Sequence, residues 1–572
     1  MFLFRFSFLL LALAMPGRLL AELVVSGVQP EIEQNVRAYV SLASEPCDAE
    51  PWRIRRRFRT IETETRRALE PFGYYRPEIA ASLAQEEQCW QATLSIDPGS
   101  PVVLRNVEIL IDGAAASDAA FAGMKNPQAL APGTALRHAN YDALKRNLQI
   151  VAADRGYIEA DFLDSRLDVW PEQGVADILV HFDSGPRYRI GEIRVEQAFI
   201  DPALVTGYLD LQPGDYFDSN EIARAYRDLS DSAYFGSIAV VPVMDAAANQ
   251  EIPLRVSLKP GTRIEYTIGV GASTDTGARL RTGFRNNRIN QRGHRLIADL
   301  GVSPVVQGLT VEYRIPLGDP RREWFSITGA LSNEDVDSFD NEAQRLGVRW
   351  TKAMSDTWLR TLGLDFINES FNIGTDVDTS RMVVPSIAFD HKKADRDIFP
   401  RRGRRFGVEL RGTDQTLGST TSYLQLLARL RLIRPLGADN RIIARLNAGT
   451  TASSDFNELP PTVRFFAGGD ESIRGFGYES LGPRDAAGHV IGGTNLLVGS
   501  IEYEHHLRGD FYGAVFVDAG NAFDDIDFNV EVGTGIGVKW RSPLGPIRVY
   551  LGYPLTKDDP GIRLHLRLGA DL

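Results

Sequence analysis

The side chains of this chain best suited to strong polar chemistry lie late in the sequence. Within PPTVRFFAGGDESIRGF (Pro460 to Phe476), two guanidinium groups, Arg464 and Arg474, alternate with Phe465, Phe466, Ile473 and Phe476. Two strand-like runs follow, GSIEYEHHL (Gly499 to Leu507) and GAVFVDAG (Gly513 to Gly520). Side chains alternate across a strand, so Ser500, Glu502 and Glu504 share one face, opposite Ile501, Tyr503 and Leu507, and Phe516 shares a face with Asp518. What such a set can do is neutralise charge in a confined space. An arginine that meets Glu502 and Asp518 there makes charge-assisted, bidentate hydrogen bonds that neutral pairs cannot match. The alternative is a solvated Arg474 on a loop. Catalysis is not indicated: no nucleophile, base or metal constellation stands out, there is no glycine-rich phosphate loop with its lysine, and no cofactor is expected.

The stretch sits in a connection running from about Ser454 to Gly493. Ordered connections longer than about 12–15 residues are uncommon and are either functional or disordered. This one carries more apolar and guanidinium surface than a disordered segment has reason to hold. Around it, from Thr262 to Leu572, the sequence has period two, with about sixteen candidate strands from 264–272 to 562–571. An even count of strands of about 10 residues with polar or glycine-rich turns fits an outer-membrane barrel. In the last strand Ile562, Leu564, Leu566, Leu568, Ala570 and Leu572 are expected to face lipid, and Arg563, His565, Arg567 and Asp571 the lumen. A soluble sandwich core would not hold those charges. A mean hydropathy of −0.18 does not argue against a barrel, because the two faces of each strand average out. Beyond the N-terminus no run approaches the roughly 18 apolar residues of a spanning helix. The net charge of −12 argues against a nucleic-acid partner.

Residues 1–21 read as a secretory signal, with Arg5 ahead of an apolar core from Phe6 to Met15 and a break at Pro16-Gly17. Export would place Cys47 and Cys89, the two cysteines of the chain, in an oxidising compartment. A disulfide between them is expected, with two unpaired thiols as the alternative. Between residues 22 and about 262 the sequence repeats. FGYYRPEI (Phe72 to Ile79), RGYIEADF (Arg155 to Phe162) and SAYFGSIAV (Ser232 to Val240) each mark the end of a second helix, and Pro98-Gly99, Ser184-Gly185 and Pro260-Gly261 each close a unit. The spacing gives a period of roughly 80 residues and a strand–helix–helix–strand–strand unit. Tyr74, Tyr75, Tyr157, Tyr234 and Phe235 are assigned to cores. The basic run Ile54 to Arg59 is read as a solvated helix face or, alternatively, a docking surface.

IRGF (Ile473 to Phe476), preceded by RFFAGGDES and followed by FVDAG (Phe516 to Gly520) and WRSPLGPIRV (Trp540 to Val549), resembles the outer-membrane assembly-factor superfamily that includes BamA and TamA. The resemblance covers nearly the whole chain. It implies α+β repeats followed by an all-β region: three periplasmic POTRA domains (βααββ) at 22–101, 102–186 and 187–262, then a 16-stranded transmembrane β-barrel at 263–572 with the loop 454–493 folded inward. By position, Ile473, Arg474, Gly475 and Phe476 would be the loop tip, and Glu502, Phe516 and Asp518 the strand-side partners of the arginine. Three repeats are closer to the TamA branch than to BamA, which has five. The implied function is assembly or translocation of β-barrel proteins such as autotransporters. The implied partners are a TamB-like inner-membrane-anchored protein, unfolded outer-membrane protein clients and the lipid bilayer. A two-partner-secretion-type exporter or a passive porin is the competing reading. POTRA sheets keep an edge that can pair with an extended segment, unless they serve only as spacers. Gly269, Gly271 and Gly569 weaken strand propensity where the first strand must meet the last, making that seam a candidate lateral gate, although ordinary barrels also carry glycines.

Overall fold

A computed structural model of the chain describes residues 20–86, 89–374, 376–396, 399–524, 528–542, 545–557 and 561–568. The expected signal segment falls on residues 1–19, outside the described residues, except for its last two positions. The described residues form two compact units. One runs through Arg194 and includes Gln212–Ala223 and Val241–Leu254; the other comprises Val195–Leu211, Arg224–Val240 and Arg255 onward.

The first repeat contains β1 (Glu22–Ser26), α1 (Pro30–Tyr39), α2 (Pro51–Phe58), α3 (Ile61–Leu69), β2 (Glu78–Glu86) and β3 (Cys89–Asp97). The second contains β4 (Val103–Asp112), α4 (His138–Asp154), β5 (Asp161–Trp170) and β6 (Val175–Asp183), and the third β7 (Arg189–Glu196), α5 (Pro202–Leu209), α6 (Ser219–Asp231), β8 (Phe235–Pro242) and β9 (Glu251–Pro260). Each forms a three-stranded sheet with its last strand in the centre: β1-β3-β2, β4-β6-β5 and β7-β9-β8. In the first two, the opening strand pairs parallel with the central one and the middle strand antiparallel. Alternation gives each central strand one buried face. Trp90, Ala92, Leu94 and Ile96 of β3 pack with Ile32, Val36, Ile61 and Leu69 of the helices, and Ile178, Val180 and Phe182 belong to the core that holds Leu144 and Leu148 of α4. Burial of each large apolar side chain contributes roughly 1.5–3 kcal/mol.

The helical layer departs from two helices per repeat. In the first repeat the second helix is broken into α2 and α3 at Arg59-Thr60, where the Thr60 hydroxyl donates to the Arg57 carbonyl at 2.9 Å and competes with the helical ladder. In the second repeat the first helix is replaced by three short 3-10 turns, Gly113–Ser117, Ala119–Met124 and Gln128–Leu130. Gly123 and Pro127 disfavour a continuous α-helix there, and Asp118 accepts from the Ala120 N–H at 3.0 Å, starting a fresh turn. The turns still bury Phe121 completely. Ile54 of the basic run is buried, while Arg53 and Arg57 pair with Glu45. Cys47 and Cys89 form a disulfide that ties the segment after α1 to the start of β3.

The rest of the second unit is one antiparallel sheet of sixteen strands in sequence order: β10 (Ile264–Ser273), β11 (Gly277–Asn286), β12 (Arg295–Val302), β13 (Val306–Pro316), β14 (Glu323–Val336), β15 (Phe339–Ala353), β16 (Trp358–Ile373), β17 (Asp376–Ala394), β18 (Gly403–Thr413), β19 (Tyr423–Leu436), β20 (Asn440–Ser453), β21 (Asn495–Arg508), β22 (Phe511–Phe523), β23 (Glu531–Ser542), β24 (Gly545–Pro554) and β25 (Arg563–Leu568). In β21 Val498, Ser500, Glu502 and Glu504 are buried inward while Leu497, Ile501 and Leu507 point outward, the inverse of a water-soluble core. The sheet order begins at β10 and ends at β25, and among the described residues these two are not hydrogen-bonded neighbours. Outward-facing Ile268 and Val270 on β10 are each 78% exposed.

Candidate functional site: the loop tip in the barrel lumen

The connection between β20 and β21 folds on itself before it meets the barrel wall. Bridges join Phe465 to Gly493, Ala467 to Leu481 and Arg484 to Val490. Arg464 staples the loop internally, donating to the carbonyls of Leu459 (2.7 Å), Asn457 (2.9 Å) and Ile491 (3.1 Å) while its guanidinium covers the Phe456 ring. The wall is cut back to receive the loop. A Cβ at Gly449 of β20 would lie 2.4 Å from the Phe465 ring.

This scaffold buries Ile473, Arg474, Gly475 and Phe476. Ile473 and Phe476 pack with Ala467, Leu481 and Val498. Arg474, 3% exposed, grips both oxygens of Asp518 through Nε (2.7 Å) and Nη2 (2.9 Å), and its own N–H donates to the same carboxylate at 3.0 Å. Its Nη1 donates to Glu502 at 2.6 Å and Nη2 reaches the Ser500 hydroxyl at 3.3 Å. The guanidinium lies 3.5 Å over the Phe516 ring and 4.7 Å over Tyr550, whose hydroxyl donates to Glu502 at 2.8 Å. Burial works against the Arg474 charge, and Asp518 and Glu502 more than offset it, holding the guanidinium above its ordinary range. Backbone approaches backbone here. Gly475 adopts φ +101°, where a side chain would be strained, and a Cβ on Gly533 of β23 would lie 1.9 Å from the Arg474 carbonyl oxygen.

A second buried charge centre lies on the same wall: Arg441 donates to Glu504 at 2.5 Å, Lys539 pairs with the other oxygen of Glu504, and Arg441 covers Phe399 at 3.7 Å. The pattern had placed Glu504 on the face of Glu502. It offered no sign of Arg441 or Lys539, because cross-strand partners far apart in sequence carry no local signal.

The tip also reaches both sides of the seam. The Asp470 N–H donates to Asp275, in the β10–β11 turn, at 2.7 Å, and the Asp470 carboxylate pairs with His565 on β25. Gly475 N–H donates to His565 Nε2 at 2.9 Å, so Nε2 is the bare nitrogen and Nδ1 carries the proton given to Asp470. Asp275, Asp470 and His565 are close enough together to surround a cation. With both ring nitrogens engaged, however, the arrangement is a hydrogen-bonded bridge with no free imidazole lone pair for a metal. Gly269 and Gly271 lie on β10, opposite Arg281 and Arg279 of β11; Gly569 lies outside the described residues.

Residues 261–571 match the Omp85 superfamily domain, and residues 22–98 match the first POTRA domain of TamA. The outer membrane protein assembly factor BamA of Nitratidesulfovibrio vulgaris is 21% identical over 430 residues, covering 72% of this chain and 54% of that protein. BamA of Neisseria meningitidis serogroup B is 21% identical over 484 residues, covering 72% and 60%. The chain thus spans little more than half the length of these relatives. The crystal structure of Haemophilus ducreyi BamA lacking POTRA domains 1–3 shares the fold, with a TM-score of 0.69 at 17% identity over 82% of this chain and 99% of that one. With more than half of its residues inside the matched domain, the chain belongs to the Omp85 superfamily, its barrel in the outer membrane and its POTRA domains in the periplasm.

Proposed function

We propose that this chain assembles or translocates other outer-membrane β-barrel proteins, autotransporters among them. A TamB-like inner-membrane-anchored protein would be its partner, and unfolded outer-membrane proteins its clients. The observation that carries this reading is that, among the described residues, β10 and β25 at the two ends of the sheet are not hydrogen-bonded to each other, together with the loop that bridges Asp275 and His565 across them. An unpaired strand edge is a template for an incoming strand, and the backbone hydrogen bonds it supplies need no nucleotide. The TamA-type first domain supports the narrower choice of partner. The BamA relatives support the class of client.

Locking the seam tests the reading. Cysteines at Ile268 or Val270, paired with cysteines at Leu564 or Leu566, sample the outward faces of the two terminal strands. For any pair that crosslinks, client assembly is expected to stop on oxidation and return on reduction, with barrel insertion unchanged. Full client assembly by a verified, crosslinked form would sink the gate and favour a pore that works through its lumen.

A further inference from the structure

Three arginines of the barrel wall converge on one carboxylate of the loop. Arg431 of β19 and Arg445 of β20 each place a guanidinium nitrogen 3.4 Å from Glu471 Oε2, and Arg567 of β25 pairs with Oε1. Arg445 also donates to the Glu471 carbonyl at 3.1 Å and lies 3.7 Å from Asp518, which is already held by Arg474. In this cluster the acid is the exposed member. The Glu471 side chain is 58% exposed, while those of the three arginines are between 12% and 27%. All four side chains line a luminal cavity of about 500 Å³, where Arg405 and Arg429 raise the arginines to five against the carboxylates of Asp390, Glu409 and Glu471. Arg548 shares an adjoining smaller cavity with Arg431, Arg445 and Arg567.

A carboxylate offers two oxygens and one negative charge to three planar donor forks. A phosphomonoester offers three terminal oxygens and a charge of about −1.5 to −2 near neutral pH, which matches the donor count and the excess positive charge better. We propose that Arg431, Arg445 and Arg567 form a luminal binding site for a phosphate-type oxyanion, which Glu471 occupies as an internal competitor. Displacing Glu471 would remove the hold of the loop on Arg567 of the last strand. It would also loosen the neighbouring Asp470, which bridges Asp275 and His565. The phosphate could be free in solution or be the headgroup of a lipid entering beside β25. The site stands on the geometry of the barrel alone and does not depend on the assembly reading.

The test uses the full chain, with folding verified by heat-modifiable gel mobility. Binding of inorganic phosphate is measured calorimetrically in detergent at fixed ionic strength, and nanodiscs containing phosphatidic acid are compared with nanodiscs of phosphatidylcholine alone. Saturable binding is expected from at least one source, and the arm that gives it identifies the source. Glu471→Gln should tighten binding by about tenfold, because the site is then no longer self-occupied. Arg567→Gln and Arg431→Gln should each weaken it about tenfold through the loss of charge-assisted hydrogen bonds. Arg567→Lys, a milder change that keeps the charge but loses the fork, should fall between. Absence of saturable binding from both sources in the parent and in Glu471→Gln overturns the site. So does binding that neither Glu471→Gln nor the arginine changes alter, which would mark an adventitious ion only.

Discussion

The core of the second repeat and the charge centre around Arg474 are both buried, yet they are built from different materials. Around Phe182 and Leu148 the buried groups are mostly apolar, and the Tyr157 hydroxyl donates to Asp118 at 2.9 Å. Around Arg474 the buried groups include ions, Glu502 and Asp518, set among the Phe516 and Tyr550 rings, while Ile501 and Val517 on the outer face of the same strands are more exposed than the charges they flank. An apolar core is a sum of many small, nearly independent terms. The lumen centre is a set of mutual dependences, in which each ion is tolerable only while its partner is present.

Removing one ion should show this most strongly. Asp518→Ala leaves Arg474 buried beside a single remaining carboxylate and is expected to cost about 3–5 kcal/mol, read by urea unfolding in lipid vesicles. Adding Arg474→Ala to it should recover part of that loss, giving a double change well short of additive. Strictly additive costs would erase the distinction between the two regions.

The apolar counterpart is Leu148→Ala, expected to cost about 3 kcal/mol by cavity formation and to appear as faster amide exchange across β4 and β6. Combined with Leu94→Ala in the separate core of the first repeat, it should add almost completely.

The smallest effect is a slope with pH. Burial first, then the neighbouring Glu334, pushes the Glu479 carboxyl up to about 8, and Tyr478, which donates to Glu334 at 3.1 Å, faces the same group. A carboxyl raised on docking stays neutral there. Its support for the docked loop is therefore full below about 4.5 and falls as pH climbs toward about 8, beyond which it is flat. A spin label at the exposed position Ala487 should become more mobile across that window, and Glu479→Gln should abolish the slope.

The strands were legible because lipid outside and charge inside impose a strict period of two; β20 is Asn440–Ser453, the limits its alternation suggests. The long strand β17 runs from Asp376 to Ala394, and its ladder with β16 holds from Asp376 to His391. Glu502 and Asp518 could be singled out because they share inward faces near the loop in sequence. Tyr550, His565 and Asp275 could not, because only barrel closure brings them within reach of the tip. The turns at 113–130 were hidden by alanine-rich composition, which favours a helix that Gly123 and Pro127 interrupt.

Arg474 and Gly475 take their contacts at Ser500, Glu502, Asp518 and His565 from groups that follow them in the chain, at separations from 26 to 90 residues. During synthesis and membrane entry, Arg474 is therefore made before any of these acceptors exists, and His565 arrives last. The contact with His565 can form only once the last strand is in place. A barrel halted before β25 would keep the grip of Arg474 on β21 and β22 but lack the His565 contact that ties the tip to the last strand.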